Sequence, residues 1–479
     1  MKAATTPRLY RANRTAARIS LYSSLVLTTL FAGVFVVGSR SFDTRAAELG
    51  WTPREFERIE EVVLLQDYLR IDTTAETGSE MAGARYLADV LARDGIESEI
   101  IDMGERRANL IAVLPGESEQ ALVLHNHIDV DPIRDPEKWV HPPFSGTIKP
   151  PWIYGRGAFD MKSVAIAQLR ALVELKRSGV RPRRSVVFLA TSGEETGSST
   201  GTAWLLRERA DLLGKSWGVL TEGGVVEART PTDIKYWGTE NGQKRYVRML
   251  ACSRSRQRLE TIHDDLRARG EPLEHLRVVP PVAEFLRYYA STRDLPKHRD
   301  LLAQPEAVVG DLARFAQLAQ YQKTLFRDEI SLLRIEPSTD GRGWVLPIVF
   351  GLLPDSDVEQ AIADLLPEWI THGVWLQRLP DDGSAPTSPI DHPILVTIGQ
   401  LLTERYGQVP NGPFYQTRST NDARLFRRQG IPSYGFSPFL VLATDTVGVG
   451  GVNESLALPG YVDGVEMYVD LVRRLVGAT

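Results

Sequence analysis

From about Glu55 the chain alternates short apolar runs with stretches whose apolar residues recur at helical spacing. That pattern predicts an α/β domain built on a largely parallel sheet. Asn109–Leu114 and Ala121–Asp129 read as strands, and Ser185–Thr191 and Trp217–Thr221 as strands of the buried kind. Met161–Ser178 reads as a helix, because Val164, Leu169, Leu172, Val173 and Leu175 form one apolar stripe. Between about Thr239 and Gln377 the character changes: Arg- and Leu-rich helices lead to a strand-like Gly343–Leu353 and a helix over Asp357–Leu366. The α/β pattern then resumes with a helix at Pro393–Tyr406, a strand near Ile431–Phe436 and a helix at Tyr461–Leu475. One domain interrupted by another is expected, with divisions at 1–40, 41–238, 239–377 and 378–479.

The N-terminus is a separate object. Lys2, Arg8, Arg11, Arg14 and Arg18 precede an uncharged stretch from Ile19 to Ser39, and Arg40 restores charge. A helix over that stretch would be about 30 Å long, enough to cross a bilayer once. Two readings stand. Val37-Gly38-Ser39 resembles a small-residue cleavage site, which makes the stretch a removable signal peptide. Its length suits an uncleaved anchor instead. In both cases the positive flank stays in the cytoplasm and the remainder is exported, with a single N-terminal membrane contact.

Composition narrows the chemistry. Charged residues are 24% of the chain and the formal net charge is −5, so no global basic field exists to attract nucleic acid. Cys252 is the only cysteine, which excludes an intrachain disulfide and a cysteine-based zinc site. A metal would have to be held by His and carboxylates.

Four segments carry such groups. LVLHNHIDVDP ends a strand with His127 and Asp129 on one face, suiting a metal ligand and a group that orients its imidazole. In WIYGRGAFDMKS, Gly155 and Gly157 permit a tight turn and Asp160 precedes a helix, where an Asp more often serves as an N-cap. SGEETGS follows a buried strand with adjacent Glu194 and Glu195, which repel unless a cation or proton separates them. LTEGG ends another strand with Glu222. All four fall at the carboxyl edge of the sheet, where open α/β sheets place their ligands. Neither a phosphate-loop nor a dinucleotide spacing is present.

Taken in order, HxD, Trp139 with Pro142-Pro143-Phe144, GRGAFDMKS, GEETGS and TEGG resemble the zinc aminoacylase/carboxypeptidase family of metallohydrolases, peptidase family M20. The likeness is greatest to its carboxypeptidase S and N-acyl-amino-acid hydrolase branch. Ser419–Pro438 and Gly451–Glu454 are also similar. The resemblance implies a phosphorylase/hydrolase-type catalytic domain with an inserted α+β lid that often forms a homodimer interface. It implies zinc, one or two ions, and a small peptide or N-acyl amino acid as substrate. His127 and Glu222 would hold one ion, Glu195 would help hold the other, and Asp160 would bridge both. Asp129 would orient His127, and Glu194 would be the general base.

The sequence departs from the family in three places. The family's last metal ligand is a His just before GxNE, and Gly450 stands there. None of the eight histidines lies beyond His392, so His125 or Glu454 would have to compensate, unless both are structural. The lid stretch MLACSRSRQ lacks the family's His, and Gly351 or Val349 replaces the Arg that grips a substrate carboxylate. A metallohydrolase is therefore expected, with a catalytically impaired binding protein at the membrane as the alternative.

Overall fold

The computed structural model describes residues 53–477 except 231, 270–274, 293–298, 339–340, 382 and 443–447. The N-terminal element expected over residues 1–40 lies outside the described residues. Among those described, no helix is long and apolar enough to cross a membrane.

The first part of the chain contributes β1 (Ser98–Gly104), β2 (Arg107–Leu114), β3 (Ser118–His127) and the short β4 (Thr147–Lys149) and β5 (Trp152–Tyr154). Next come β6 (Arg184–Thr191), β7 (Ser216–Thr221), β8 (Val225–Thr230) and β9 (Asp233–Gln243). The middle supplies β10 (Arg245–Ser253), β11 (Glu329–Leu332), β12 (Glu336–Pro337), β13 (Trp344–Leu352) and β14 (Trp375–Arg378). The last part gives β15 (Asn411–Gln416), β16 (Ser433–Gly435) and β17 (Ser455–Ala457).

The large sheet runs β1-β2-β6-β3-β7-β16-β9-β15, with β8 added on β9. β3 pairs in parallel with both β6 and β7, and the register sets His127 opposite Thr191 and Leu124 opposite Leu220. The carboxyl ends of these three strands therefore share one edge. Alternate side chains serve different layers. Leu122, Leu124, Val186, Phe188 and Leu220 pack with the helices Lys162–Ser178 and Leu458–Val476, whereas Val123, Val187, Leu189 and Val219 pack with Leu205 and Phe426 on the opposite face. Burial on both faces explains the unbroken apolar runs.

The centre of the sheet, β6-β3-β7-β16, is parallel as expected, and antiparallel pairs are added around it. β2 is antiparallel to β1 and β6, and β9 is antiparallel to β16 and β8. A tight turn at Glu105-Arg106, both at positive φ, folds β2 back on β1 as a hairpin and so fixes that pair antiparallel.

The second sheet runs β11-β13-β10-β14 with β12 on β13, and it packs beneath the helices Arg256–Arg269 and Val358–Leu365. The expected boundary at Thr239 falls inside β9, which stays in the large sheet to Gln243. β10 opens the second sheet at Arg245. The side chain of Lys244 secures the crossing, donating to the Arg327 carbonyl at 2.9 Å and to Glu329 at 3.2 Å. The helix Pro280–Thr292 belongs by packing to the large sheet, since Phe285 and Tyr289 cluster with Tyr236 of β9 and Tyr415 of β15.

Candidate metal centre

His127 is the last residue of β3 and is buried. Its Nδ1 bonds the Asp129 backbone carbonyl at 2.8 Å, which turns Nε2 toward Asp160 at 3.2 Å and Glu222 at 3.4 Å. Glu222 lies one residue past β7, and Glu194 and Glu195 lie in the turn after β6. Ligand atoms of His127, Asp160 and Glu222 all fall within 4.8 Å of one another, and so do those of His127, Glu194 and Glu195. The five expected ligating and base residues are thus brought to one place.

Asp160 does not act as a cap. The helix begins at Lys162 after Met161, without a side-chain cap, and the Asp160 carboxylate is turned to the imidazole. Its backbone is held from behind: Glu454 Oε1 accepts the Phe159 N–H at 2.9 Å and the Asp160 N–H at 3.2 Å. Glu454 Oε2 accepts from the buried Arg156 at 2.7 Å. Both Glu454 oxygens are therefore committed to structure.

Asp129 orients His127 through its main-chain carbonyl. The side chain, at 3.5 Å from Nδ1, instead accepts the backbone N–H groups of Glu194 and Glu195, each at 3.0 Å. Asp129 thus meets the imidazole through its main chain while its carboxylate also holds the turn that bears Glu194 and Glu195.

His125 lies farther back on β3. Nδ1 contacts the Thr221 hydroxyl at 2.8 Å, and Nε2 contacts Thr202 at 2.9 Å and Thr191 at 3.1 Å. Burial pushes its pKa down to about 4, so the ring is neutral and engaged away from the ligand cluster.

Electrostatics mark the site as one that calls for a cation. Burial, then the charge of Asp422, pushes the Glu194 carboxyl well above the usual range. Burial, followed by Asp131, Asp160 and Glu194, does the same to Glu195, and burial raises Glu222 to about 8. Burial opposes ionisation of both His127 and Asp160. Their mutual contact outweighs it in Asp160, whose pKa falls, and the neighbouring carboxylates outweigh it in His127, whose pKa rises. Carboxylates crowded in this way are stabilised by protons or by a metal. The donor set of one imidazole and two carboxylates fits a divalent ion at the Glu222 side.

Some residues of the site were not identified from the sequence. Asn421 donates to the Glu222 carbonyl at 3.0 Å. Asp422 accepts from the Ser198 hydroxyl and lies 3.7 Å from His125 Nε2. Both belong to the STNDAR segment, singled out as similar but without a role, because these partners are far apart in the chain.

Residues 123–474 match the family described as peptidase family M20/M25/M40. The chain belongs to this peptidase family. A probable succinyl-diaminopimelate desuccinylase of Staphylococcus aureus is 37% identical over 140 residues, which are 29% of this chain and 34% of the relative. The succinyl-diaminopimelate desuccinylase of Paracoccus denitrificans is 38% identical over 130 residues, 27% of this chain and 34% of its own. The matched stretch thus spans about a third of those relatives. Two solved family folds superpose over most of the chain. An M20 metallo-carboxypeptidase of Sulfolobus solfataricus has a TM-score of 0.66 at 18% identity, covering 87% of this chain and 99% of its own. Human carnosine dipeptidase 1 has a TM-score of 0.68 at 14% identity, covering 91% and 100%. At these identities the likeness is one of fold.

Proposed function

We propose that this protein is a metal-dependent hydrolase that cleaves an amide bond in a small peptide or an N-acyl amino acid. The observation that carries the reading is the convergence of His127, Asp160, Glu222, Glu194 and Glu195 at one sheet edge, with ligand atoms within 4.8 Å in two overlapping groups. His127, Asp160 and Glu222 would hold zinc, with Glu195 turned toward a second position. A divalent ion there supplies Lewis acidity toward the scissile carbonyl and toward water. Glu194 takes the proton of the attacking water on its carboxylate and returns it to the leaving amide nitrogen. The turn that carries Glu194 is fixed by Asp129, so the base is held in place before substrate arrives. The similarity to a desuccinylase, a carboxypeptidase and a dipeptidase supports acylated amino acids and short peptides as the substrate class.

A specific observation favours a second reading, a binding protein with impaired catalysis. Gly450, where the resemblance expects a His, offers only a carbonyl, and this accepts from Arg156 at 3.1 Å. Zinc-loaded wild type and Glu194→Gln compared on a panel of dipeptides and N-acyl amino acids separate the two. Hydrolysis by wild type that the variant loses supports the enzyme, and equal rates support the binding protein.

We further propose that residues 1–40 place the domain outside the cytoplasm at a membrane, and that two copies pair through the second sheet. Protease accessibility in intact cells and sedimentation of the purified protein test these two points.

A further inference from the structure

Resting on that reading of the centre, we propose that Gln243 is a positioning residue for the metal ligand Glu222. It acts through Asn421, and so joins the crossing between the two sheets to the strand end that bears the ligand.

Gln243 is buried at the last position of β9, and β10 opens two residues later. A glutamine amide offers one acceptor oxygen and two donor hydrogens. Gln243 turns both functions on one residue. Oε1 accepts the Asn421 N–H at 3.0 Å, and Nε2 donates to the Asn421 carbonyl at 3.1 Å. The side chain thus pairs with the backbone as a neighbouring strand would, and residue 421 is held from both its N–H and its carbonyl.

Asn421 passes this constraint to the ligand. Nδ2 donates to the Glu222 carbonyl at 3.0 Å, and Oδ1 accepts the Ala423 N–H at 3.1 Å. Turning the amide over would set donor against donor and acceptor against acceptor, so one orientation is allowed. Glu222 needs such a support. The ladder of β7 ends at Thr221, opposite Gly435, and Gly223 and Gly224 follow at positive φ. The close approach also accounts for Gly223, since a Cβ there would stand 2.7 Å from Asn421 Nδ2. A side chain at this position would push the amide off the Glu222 carbonyl.

The same segment holds the start of the second sheet. The Lys244 N–H donates to the Gln416 carbonyl at 3.0 Å, and the Tyr246 hydroxyl, on β10, donates to the Thr417 carbonyl at 2.7 Å. Residues 416–421 therefore tie the first turn of chain in the second domain to the end of β7. Gln243 belongs to neither group of ligand atoms, so its effect on the metal is indirect.

The test uses the full chain stripped with chelator and refilled with Co2+, whose visible absorption reports the arrangement of its ligands. Gln243→Met keeps the length of the side chain and removes both hydrogen-bonding functions. It is expected to bind as much cobalt as wild type, with a shifted spectrum. Its kcat should fall roughly 10- to 100-fold, the scale of an ångström-sized misplacement, while KM changes much less. Gln243→Glu retains the acceptor for the Asn421 N–H and should shift the spectrum less; it decides the matter alone if the methionine variant does not fold. Tyr86→Phe, which loses a bond to the Leu64 carbonyl between two helices, is the control and should lower the melting temperature only. A folded Gln243 variant with the spectrum and kcat of wild type overturns the proposal and leaves the metal centre standing, and so does one that behaves as the control does. A wild type that binds no cobalt overturns the reading of the centre and this proposal together.

Discussion

The carboxylate of Asp129 accepts the backbone N–H of Glu194 at 3.0 Å on one oxygen, and its other oxygen takes the N–H of Glu195 at the same distance. One buried side chain thereby ties the end of β3 to the turn after β6. An amide can accept on only one of its two ends. Asp129→Asn should therefore turn a donor toward a backbone N–H and release the turn. Expected is a destabilisation of about 1–3 kcal/mol, the scale of an unsatisfied buried polar group, with a fall in kcat greater than Asp129's distance from substrate would suggest. Denaturant unfolding and steady-state kinetics on the same preparation check this.

Glu194→Gln keeps the shape of the turn and removes the proton acceptor. kcat should fall by roughly 10²–10⁴, the range attributed to general acid–base groups, while bound metal stays the same. Parallel kinetics and elemental analysis give the answer.

Arg156 and Glu454 form a buried ion pair at 2.7 Å behind Asp160. Removing one partner strands the other charge. Glu454→Ala should destabilise the fold by about 3–5 kcal/mol and loosen metal binding through the freed Asp160 backbone. The shift in urea midpoint and the zinc affinity measure both effects.

Glu80 gives a pH signature away from the ligands. It is buried 3.8 Å from Arg107, and burial with the nearby Asp129 pushes it from the usual 4.5 up to about 8. A folded-state value above the unfolded one means that the folded chain binds more protons between these two pH values. Stability from this group is full below 4.5 and declines as pH rises toward about 8. Glu80→Gln should therefore flatten the fall in unfolding free energy across that window, as read by urea titration at its two ends.

Much of this site was legible in the sequence because the strands that carry it are buried on both faces. The apolar runs of β3, β6 and β7 end abruptly in His127, the Glu194-Glu195 turn and Glu222, so chemistry and strand end coincide. β9 was not legible, since beyond the buried Tyr236 and Trp237 its buried residues are polar or glycine, Thr239, Glu240, Asn241 and Gln243 among them, rather than an apolar run. Glu240 lies 2.8 Å from the Arg427 guanidinium, Asn241 donates to the Ser388 carbonyl and Gln243 to the Asn421 carbonyl, all far along the chain, and only the fold brings them together. The roles of Asp129 and Glu454 were hidden for the same reason. A carboxylate's type and spacing are visible in the sequence, but the backbone N–H groups that claim it are not.

The central claim is that His127, Asp160 and Glu222 hold a catalytic metal, and metal content tests it most directly. Wild type and His127→Ala, stripped, dialysed against zinc and then against metal-free buffer, are compared by elemental analysis. At least one ion per chain in wild type and a marked loss in the variant are expected. Trace metal in wild type, or equal content in the two proteins, would contradict it.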